Sequence, residues 1–329
     1  MLVALVLVPF TNVSAETIAG EGNIGYQDGV LASFHMPIDV LVLPGGEVIV
    51  ADTFNNLLRI IRGSETTTYA GFIPEFFPVG FHRDGELSAA GLHHPTGLAI
   101  CENGRIYVAD SVNNSIRVIV AGSIYTLAGW GEAGFSDGPR GEAAFNSPTS
   151  IAIGPGGNLY VADTLNHVIR RVSPTGHTTT IAGTPGEFGY QNGASALFDT
   201  PMGIAVTGDG RIFVADTGNH AIRVIENGIV TTLAGSSVHD EWDSVGGFAD
   251  GIGTAALFNQ PRGLSLWGDN LIVADSANHA IRVVTPDGSV TTFAGLELEL
   301  LFPMGVHVHE ERLYIADSGN NKIRAVSLR

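Results

Sequence analysis

Three ionisable side chains occupy positions at which related segments of the chain carry mostly neutral residues: Asp39, Arg262 and His307. Each lies in a short apolar run that a proline opens. Together they supply a carboxylate, a guanidinium and an imidazole. A carboxylate near an arginine stays ionised, and an imidazole beside that carboxylate can act as an acid, a base or a metal ligand. We therefore take these three residues as the candidate site for a small ligand or a metal ion.

Other residue types in the chain raise two metal hypotheses. His167, His220 and His279 stand at equivalent positions and would suit zinc, but asparagine replaces them in the other segments, which favours a hydrogen-bonding role. Calcium needs several oxygen ligands around one ion, whereas each Asp-Gly or Asn-Gly step offers one side-chain oxygen donor group, so turn formation is favoured. These steps begin at Asp28, Asp84, Asp137, Asn192 and Asp250. No cofactor is predicted, and a calcium or zinc ion stays an open alternative.

The elements that must position these residues come from six copies of one phrase, typified by V-A-D-T-x-N-H-x-I-R. The copies occupy residues 50–59, 108–117, 161–170, 214–223, 273–282 and 315–324. Each follows a proline-opened apolar run, and five are followed by a Thr/Tyr-rich run that ends in Ala-Gly. Five units thus contain four strand-like runs each and the sixth contains three, separated by turn residues. Six such units predict an all-β fold, a single six-bladed β-propeller over residues 16–329.

The two ends of the chain predict how the ring closes. The last unit stops at residues 324–329 after its third strand, while residues 16–20 form a run of the fourth-strand type with no unit of their own. An open ring would leave two unpaired strand edges. We therefore expect Thr17–Gly20 to form the outer strand of the sixth blade, beside Lys322–Leu328.

Within each phrase, an aspartate and an arginine stand seven residues apart. Across a four-residue hairpin turn, this spacing makes the two side chains diagonal neighbours on one face. A structural ion pair in every blade is the favoured interpretation, since a ligand site need not recur six times. The pairs are Asp52/Arg59, Asp110/Arg117, Asp163/Arg170, Asp216/Arg223, Asp275/Arg282 and Asp317/Arg324.

The phrase D-[ST]-x-N-[HN]-x-[ILV]-R resembles the NHL repeat, here reading NNL, NNS, NHV, NHA, NHA and NNK. The connecting pattern, with G-[FY]-x-[DN]-G before A-x-[FL], is similar to the extracellular variety of that family. The resemblance implies a propeller and leaves the function open, because such propellers include RNA binders, an amidating lyase, sensor domains and interaction scaffolds. The amidating lyase binds zinc through several histidines, of which this chain has only His307 in the corresponding positions. Six-bladed lactonases hold calcium in a cage of carboxylates and amides, of which only Asp39 is in place here. A protein- or ligand-binding scaffold is therefore expected, with a channel-mouth enzyme as the alternative.

The charge and composition of the chain limit the classes of molecule that it is expected to bind. The chain has 16 Lys and Arg against 33 Asp and Glu, a net charge of −17, which disfavours nucleic acids and anionic membranes. Cys101 is the single cysteine, so no internal disulfide forms. Residues 2–10 are apolar and precede Val-Ser-Ala, which predicts a signal peptide over residues 1–15, cleaved after Ala15. We expect a secreted, periplasmic or cell-surface monomer that binds a protein or a small extracellular ligand, without membrane insertion.

Two connections between blades are long and carry aromatic residues. Such loops pack over the channel as a lid or stay exposed as a partner surface. The candidate contact residues are Phe72, Phe76, Phe77, Phe81 and Trp242.

Overall fold

The computed structural model describes residues 14–74, 80–236, 238–239 and 244–329. It confirms the predicted fold, a six-bladed β-propeller of four-stranded antiparallel blades. Each inner strand begins with the proline noted above, a position at which the missing N–H costs no ladder hydrogen bond. The inner strands of blades 1 to 6 are Pro37–Val42, Pro95–Ile100, Pro148–Ile153, Pro201–Val206, Pro261–Trp267 and Pro303–His309.

The second and third strands of each blade contain the two halves of the phrase. The second strands are Val48–Asp52, Ile106–Asp110, Leu159–Asp163, Ile212–Asp216, Asn270–Asp275 and Arg312–Asp317. The third strands are Leu57–Arg62, Ser115–Val120, Val168–Val172, Ala221–Glu226, Ala280–Val284 and Lys322–Ser327. Short 3-10 turns lie between them at Thr53–Asn55, Thr164–Asn166, Thr217–Asn219, Ser276–Asn278 and Ser318–Asn320.

The outer strands end the blades, and short elements lie in the connections and, at Pro155–Gly157, between the first two strands of blade 3. The outer strands of blades 1 to 5 are Glu65–Ala70, Ser123–Ala128, Thr178–Ala182, Ile229–Gly235 and Ser289–Ala294. The other short elements are the strands Gly85–Glu86, Val238–His239, Ser244–Val245 and Gly251–Ile252 and the 3-10 turns Pro155–Gly157, Gly253–Ala255 and Leu296–Leu298. Within the described ranges no helix is long and apolar enough to cross a bilayer.

The N-terminal segment closes the ring. Ala15–Ala19 pairs antiparallel with the third strand of blade 6, with Thr17 opposite Arg324. The strand was expected to reach Gly20, but it ends one residue earlier. Gly20 has a φ of +95°, and a side chain there would lie 2.5 Å from the carbonyl oxygen of Asn321. The chain therefore leaves the sheet at this glycine.

The hydrophobic core is divided into six clusters, each lying between two successive blades. Between blades 1 and 2, for example, Ile49 and Leu58 pack against Leu98 and Val108. A hydrogen bond from a Thr or Ser hydroxyl also joins each blade to the next. Thr53 Oγ1 donates to the Pro95 carbonyl at 2.7 Å, and all six blades have the equivalent bond. The stability of the ring therefore depends on every blade having both neighbours.

The aspartate and arginine of each phrase contact one another in all six blades. Their N–O distances are 2.9, 2.5, 2.6, 2.5, 2.8 and 3.5 Å from blade 1 to blade 6. In blade 1, Asp52 Oδ1 also accepts the backbone N–H of His35 at 2.8 Å, which fastens the preceding connection to the blade. Arg324 is 12% exposed, whereas the other five arginines are fully buried. These five are Arg59, Arg117, Arg170, Arg223 and Arg282.

The Asp-Gly and Asn-Gly steps do more than form turns, so the turn interpretation was incomplete. Asp28 Oδ1 accepts a hydrogen bond from Arg59 Nη2 at 2.6 Å, and its second oxygen accepts the backbone N–H of Thr68. The short connection into blade 6 supplies the Leu298 carbonyl to Arg324 instead. The connections are thereby held against the blades that follow them along the chain.

Each fully buried phrase arginine bonds the preceding connection in addition to the aspartate of its own phrase. Arg117, Arg223 and Arg282 show this in blades 2, 4 and 5. Their Nη2 atoms donate to Asp84, Asn192 and Asp250 at 2.7–2.8 Å. The same atoms donate to the carbonyls of Arg83, Gln191 and Ala249 at 2.8–3.0 Å. Nε of every phrase arginine is buried without a hydrogen bond.

The hydrogen-bonding role predicted for the three histidines is confirmed. Nδ1 of His167, His220 and His279 accepts a backbone N–H of the next connection at 3.0–3.1 Å. In the other blades, the Oδ1 atom of an asparagine accepts the same bond, as Asn56 does from His94 at 3.0 Å. Both side chains project an acceptor at the same place, which explains why they exchange between blades.

Candidate functional site

The inner strands of all six blades line a central cavity of about 480 Å³. Each second strand ends beside the proline that starts its inner strand, as in the Pro37–Asp52 pair, so the connections and phrase turns share one face of the ring. We call this the linker face. The first residues after the prolines surround the channel at that face: Ile38, Thr96, Thr149, Met202, Arg262 and Met304.

The second residue after the proline is glycine in four blades because neighbouring inner strands touch there. A Cβ atom on Gly203 would lie 1.8 Å from the Arg262 carbonyl oxygen, and one on Gly263 would lie 2.3 Å from that of Met304. Asp39 breaks this pattern in blade 1, and Ser150 does so in blade 3. A side chain at this position therefore meets the backbone of the neighbouring blade.

Asp39 uses both carboxylate oxygens on backbone groups. Oδ1 accepts the N–H of Val40 and Oδ2 accepts the N–H of Leu98 in blade 2, each at 2.9 Å. Burial raises the pKa of Asp39 to about 7, although both hydrogen bonds favour the ionised form. Asp39 thus joins two inner strands and changes charge near neutral pH.

Arg262 lines the channel without an acid partner among the described residues. Its Nη1 atom lies 3.7 Å from Sδ of Met304, and its Nε is buried without a hydrogen bond. Burial lowers the pKa of this guanidinium from its ordinary value. A cation in this setting forgoes much of its hydration without a compensating carboxylate.

His307 lies deeper, at the fourth position of its inner strand. Burial, with a smaller effect of His309, lowers the pKa of His307 to about 4, so the imidazole is neutral at pH 7. The fourth position is nearer to the face opposite the linkers, whereas the sequence placed all three residues at the linker-face mouth. The structure puts Asp39, Arg262 and His307 in one channel, but no hydrogen bond or ion pair joins any two of them within the described chain.

Phe72 and Phe81, the described phenylalanines of the first long connection, pack on each other and on an arginine. The rings of Phe72 and Phe81 meet edge to face at 5.7 Å, and the Arg83 guanidinium lies 5.2 and 5.0 Å from their centroids. Phe76, Phe77 and Trp242 lie outside the described residues, so their expected contacts stay predictions.

Exposed apolar residues on the linker face come instead from positions that the sequence reasoning did not select. Phe54, at a phrase turn, is 45% exposed and stacks between His35 and His94 at 5.2 and 4.7 Å. Phe188 is 70% exposed and lies 5.8 Å from the His167 ring. The variable residue before the phrase asparagine, Phe in blade 1 and Gly in blade 4, was the available signal.

The arrangement offers ligand contacts more readily than metal ligation. Among the residues that the structure describes, no three His, Cys, Asp or Glu side chains form a group suited to a metal ion. The channel lining is otherwise dominated by aliphatic and methionine side chains. Such a cavity, with one unpaired cation at its rim, is suited to a small molecule that is largely apolar.

Comparisons with known proteins agree with this fold. The NHL repeat family model matches residues 92–119, 145–171, 198–225 and 258–284. NHL repeat-containing protein 2 of Bos taurus is 29% identical over 307 residues, covering 79% of this chain and 41% of the relative. The chain spans less than half the length of the curated relatives it matches.

Solved structures share the architecture at low identity. An auxiliary nutrient binding protein from Bacteroides thetaiotaomicron has a TM-score of 0.70 at 16% identity, with 95% of this chain and 76% of that chain covered. A structure described as a putative gluconolactonase has a TM-score of 0.62 at 14% identity, with 96% and 92% covered. At these identities, the similarity establishes a common fold.

Proposed function

Because this chain is a β-propeller built from NHL repeats, we propose that it is a binding scaffold whose small ligand enters the central channel from the linker face. The observation that carries the proposal is the cavity of about 480 Å³, which lies within the usual range of small-molecule sites. Six inner strands fix its walls, so the site is rigid and preformed. Binding would therefore cost little ordering of the protein.

The side chains in the channel support binding over catalysis. The Asp39 carboxylate is already engaged by two backbone N–H groups, and His307 is not hydrogen-bonded to it. General acid–base chemistry needs partners within hydrogen-bond reach of each other or of the reacting atom. We propose that the site functions without a cofactor or metal.

The proposed location is outside the cytoplasm. It rests on the apolar segment at residues 2–10 with its small-residue cleavage signal, and on the similarity to a protein described as nutrient-binding. Sequencing the N-terminus of the protein recovered from its native host tests this: a start at Glu16 supports export with cleavage, and a mature protein that retains residues before Glu16 contradicts it.

A channel-filling variant tests the binding site. The neutral fluorescent probe N-phenyl-1-naphthylamine should bind the full chain with one site, and Ala152→Phe, which places a ring in the channel wall, should abolish binding. Ala133→Phe is the matched control, because Phe188 occupies the equivalent connection position outside the channel. Unchanged probe binding by Ala152→Phe would contradict a channel site.

A further inference from the structure

We propose that the ligand of the channel is an apolar monocarboxylate, whose carboxylate pairs with Arg262 and whose apolar body lies along the inner strands. This inference rests on the channel site proposed above and names the chemical class of its ligand.

Arg262 differs from the phrase arginines in the partners of its guanidinium. Each phrase arginine contacts an aspartate and at least one backbone carbonyl; Arg170, for example, meets Asp163, Asp137 and the Ala144 carbonyl within 3.0 Å. Among the described residues, the hydrogen-bond partner of the Arg262 guanidinium is the Met304 sulfur alone. An unbonded Nε is common to all of these arginines, so the difference lies in the Nη groups.

A guanidinium whose described partner is a thioether sulfur, with no acid beside it, favours a particular ligand group. A guanidinium removed from water is stabilised by a carboxylate, which it binds through two parallel N–H bonds. No acidic side chain of the described residues reaches Arg262. The missing partner is therefore supplied most simply by a ligand.

The position of Arg262 fixes the orientation of that ligand. Its five counterparts around the channel rim are neutral: Ile38, Thr96, Thr149, Met202 and Met304. An anion arriving from the linker face thus meets one cation before it meets the channel wall. The carboxylate would stop at the rim, and the rest of the molecule would point inward.

The deeper channel suits an apolar body. Beyond the rim, the wall includes Leu264, Leu266, Ile204, Val206 and Val308. From the first to the fifth position, an inner strand advances by ~13 Å at about 3.3 Å per residue. This depth accommodates an alkyl chain or an aromatic acid, and each buried methylene adds favourable transfer free energy.

The charges favour a monoanion over a dianion. One guanidinium neutralises one negative charge, His307 is neutral at pH 7, and Asp39 adds partial negative charge to the same channel. A phosphate monoester with two charges would carry one uncompensated charge into this environment. The site therefore discriminates against phosphorylated ligands of the same shape.

Isothermal titration with octanoate and octanol separates the carboxylate from the apolar body. Wild type should bind octanoate at least tenfold more tightly than octanol, and Arg262→Met should remove this preference while octanol binding changes less than twofold. Met is the residue of blades 4 and 6 at this position, so the variant should keep the fold. Arg62→Met removes an exposed arginine outside the channel and serves as the control.

The outcomes distinguish the inference from the channel site itself. Equal affinities of wild type for octanoate and octanol, or an octanoate preference that survives in Arg262→Met, would overturn the carboxylate assignment while the neutral probe still reports the channel. Octanoate that binds without displacing the probe would overturn it as well. If Arg262→Met fails to fold, Arg262→Gln provides the same comparison with a polar, uncharged side chain.

Discussion

At the residue scale, the phrase arginines show how a buried ion pair is made tolerable. Arg170 bonds two aspartates and two carbonyls, and its guanidinium lies 4.7 and 4.9 Å from the centroids of Phe135 and Phe145. Desolvation of a charge is compensated only when most of its donors find acceptors. The repeat supplies these acceptors from the phrase and from the connection that precedes it, so both parts of the sequence must be retained together.

The extent of this network predicts unequal effects of losing the arginine. Arg170→Leu leaves Asp163 buried without its cation and should lower the free energy of unfolding by about 3–5 kcal/mol. Arg324→Leu should cost clearly less, because Arg324 lies 3.5 Å from Asp317 and has no acidic partner in its connection. Urea denaturation of both variants measures the difference. Equal losses would show that the second acid and the shorter contact contribute nothing.

Asp39 makes a second residue-scale prediction, on pH. Its pKa is raised from 3.8 to about 7 in the folded protein, so its contribution to stability is complete below pH 3.8 and is lost as the pH rises through 7. The unfolding free energy of Asp39→Asn, relative to that of wild type, should therefore increase by about 1–3 kcal/mol as the pH rises from 4.5 to 8.

The titration of His307 changes stability with pH in the opposite direction, and this contribution cancels when wild type and Asp39→Asn are compared. Its pKa is lowered to about 4, so its contribution is present above pH 6.5 and is lost as the pH falls through 4, in both proteins alike. Urea titrations of wild type and Asp39→Asn at several pH values provide the measurement. A constant difference between them across this range would mean that the Asp39 carboxyl titrates normally.

At the scale of elements, the repeat made the strands predictable, but it did not predict the directions of the side chains. Six copies of one phrase with constant offsets define the strand order, and the orphan run at residues 16–20 predicts the closure. The direction of Asp39 could not be predicted, because it depends on Gly305 of blade 6 leaving room beside its carboxylate and on the N–H that Leu98 of blade 2 donates to it. The linker aspartates were underestimated for the same reason, since their arginine partners are more than 30 residues away.

The closing strand makes the prediction at this scale. A chain that begins at Gly20 exposes the edge of Lys322–Ser327 and loses the contacts of Ala15–Ala19 with it. We expect a lower melting temperature or aggregation relative to a chain that begins at Ser14, which keeps the strand and is the matched control. Calorimetry with light scattering measures both, and identical melting of the two chains would contradict closure by this strand.

At the scale of the whole molecule, the charge distribution agrees with a ligand that is not a nucleic acid. The chain has a net charge of −17, and its six phrase arginines face aspartates inside the blades. Nucleic-acid affinity needs basic side chains free to contact phosphates. The cation without an acidic partner in the described channel is Arg262, which suits one small anion.

A crystal structure of the protein with 8-bromooctanoate tests this central claim most directly. The account predicts one bromine anomalous peak inside the channel, beyond the level of Arg262 and beside Leu266 and Val308, with the carboxylate within hydrogen-bond distance of the Arg262 guanidinium. A bromine peak on the outer surface of the blades, with the channel holding only solvent, would contradict it.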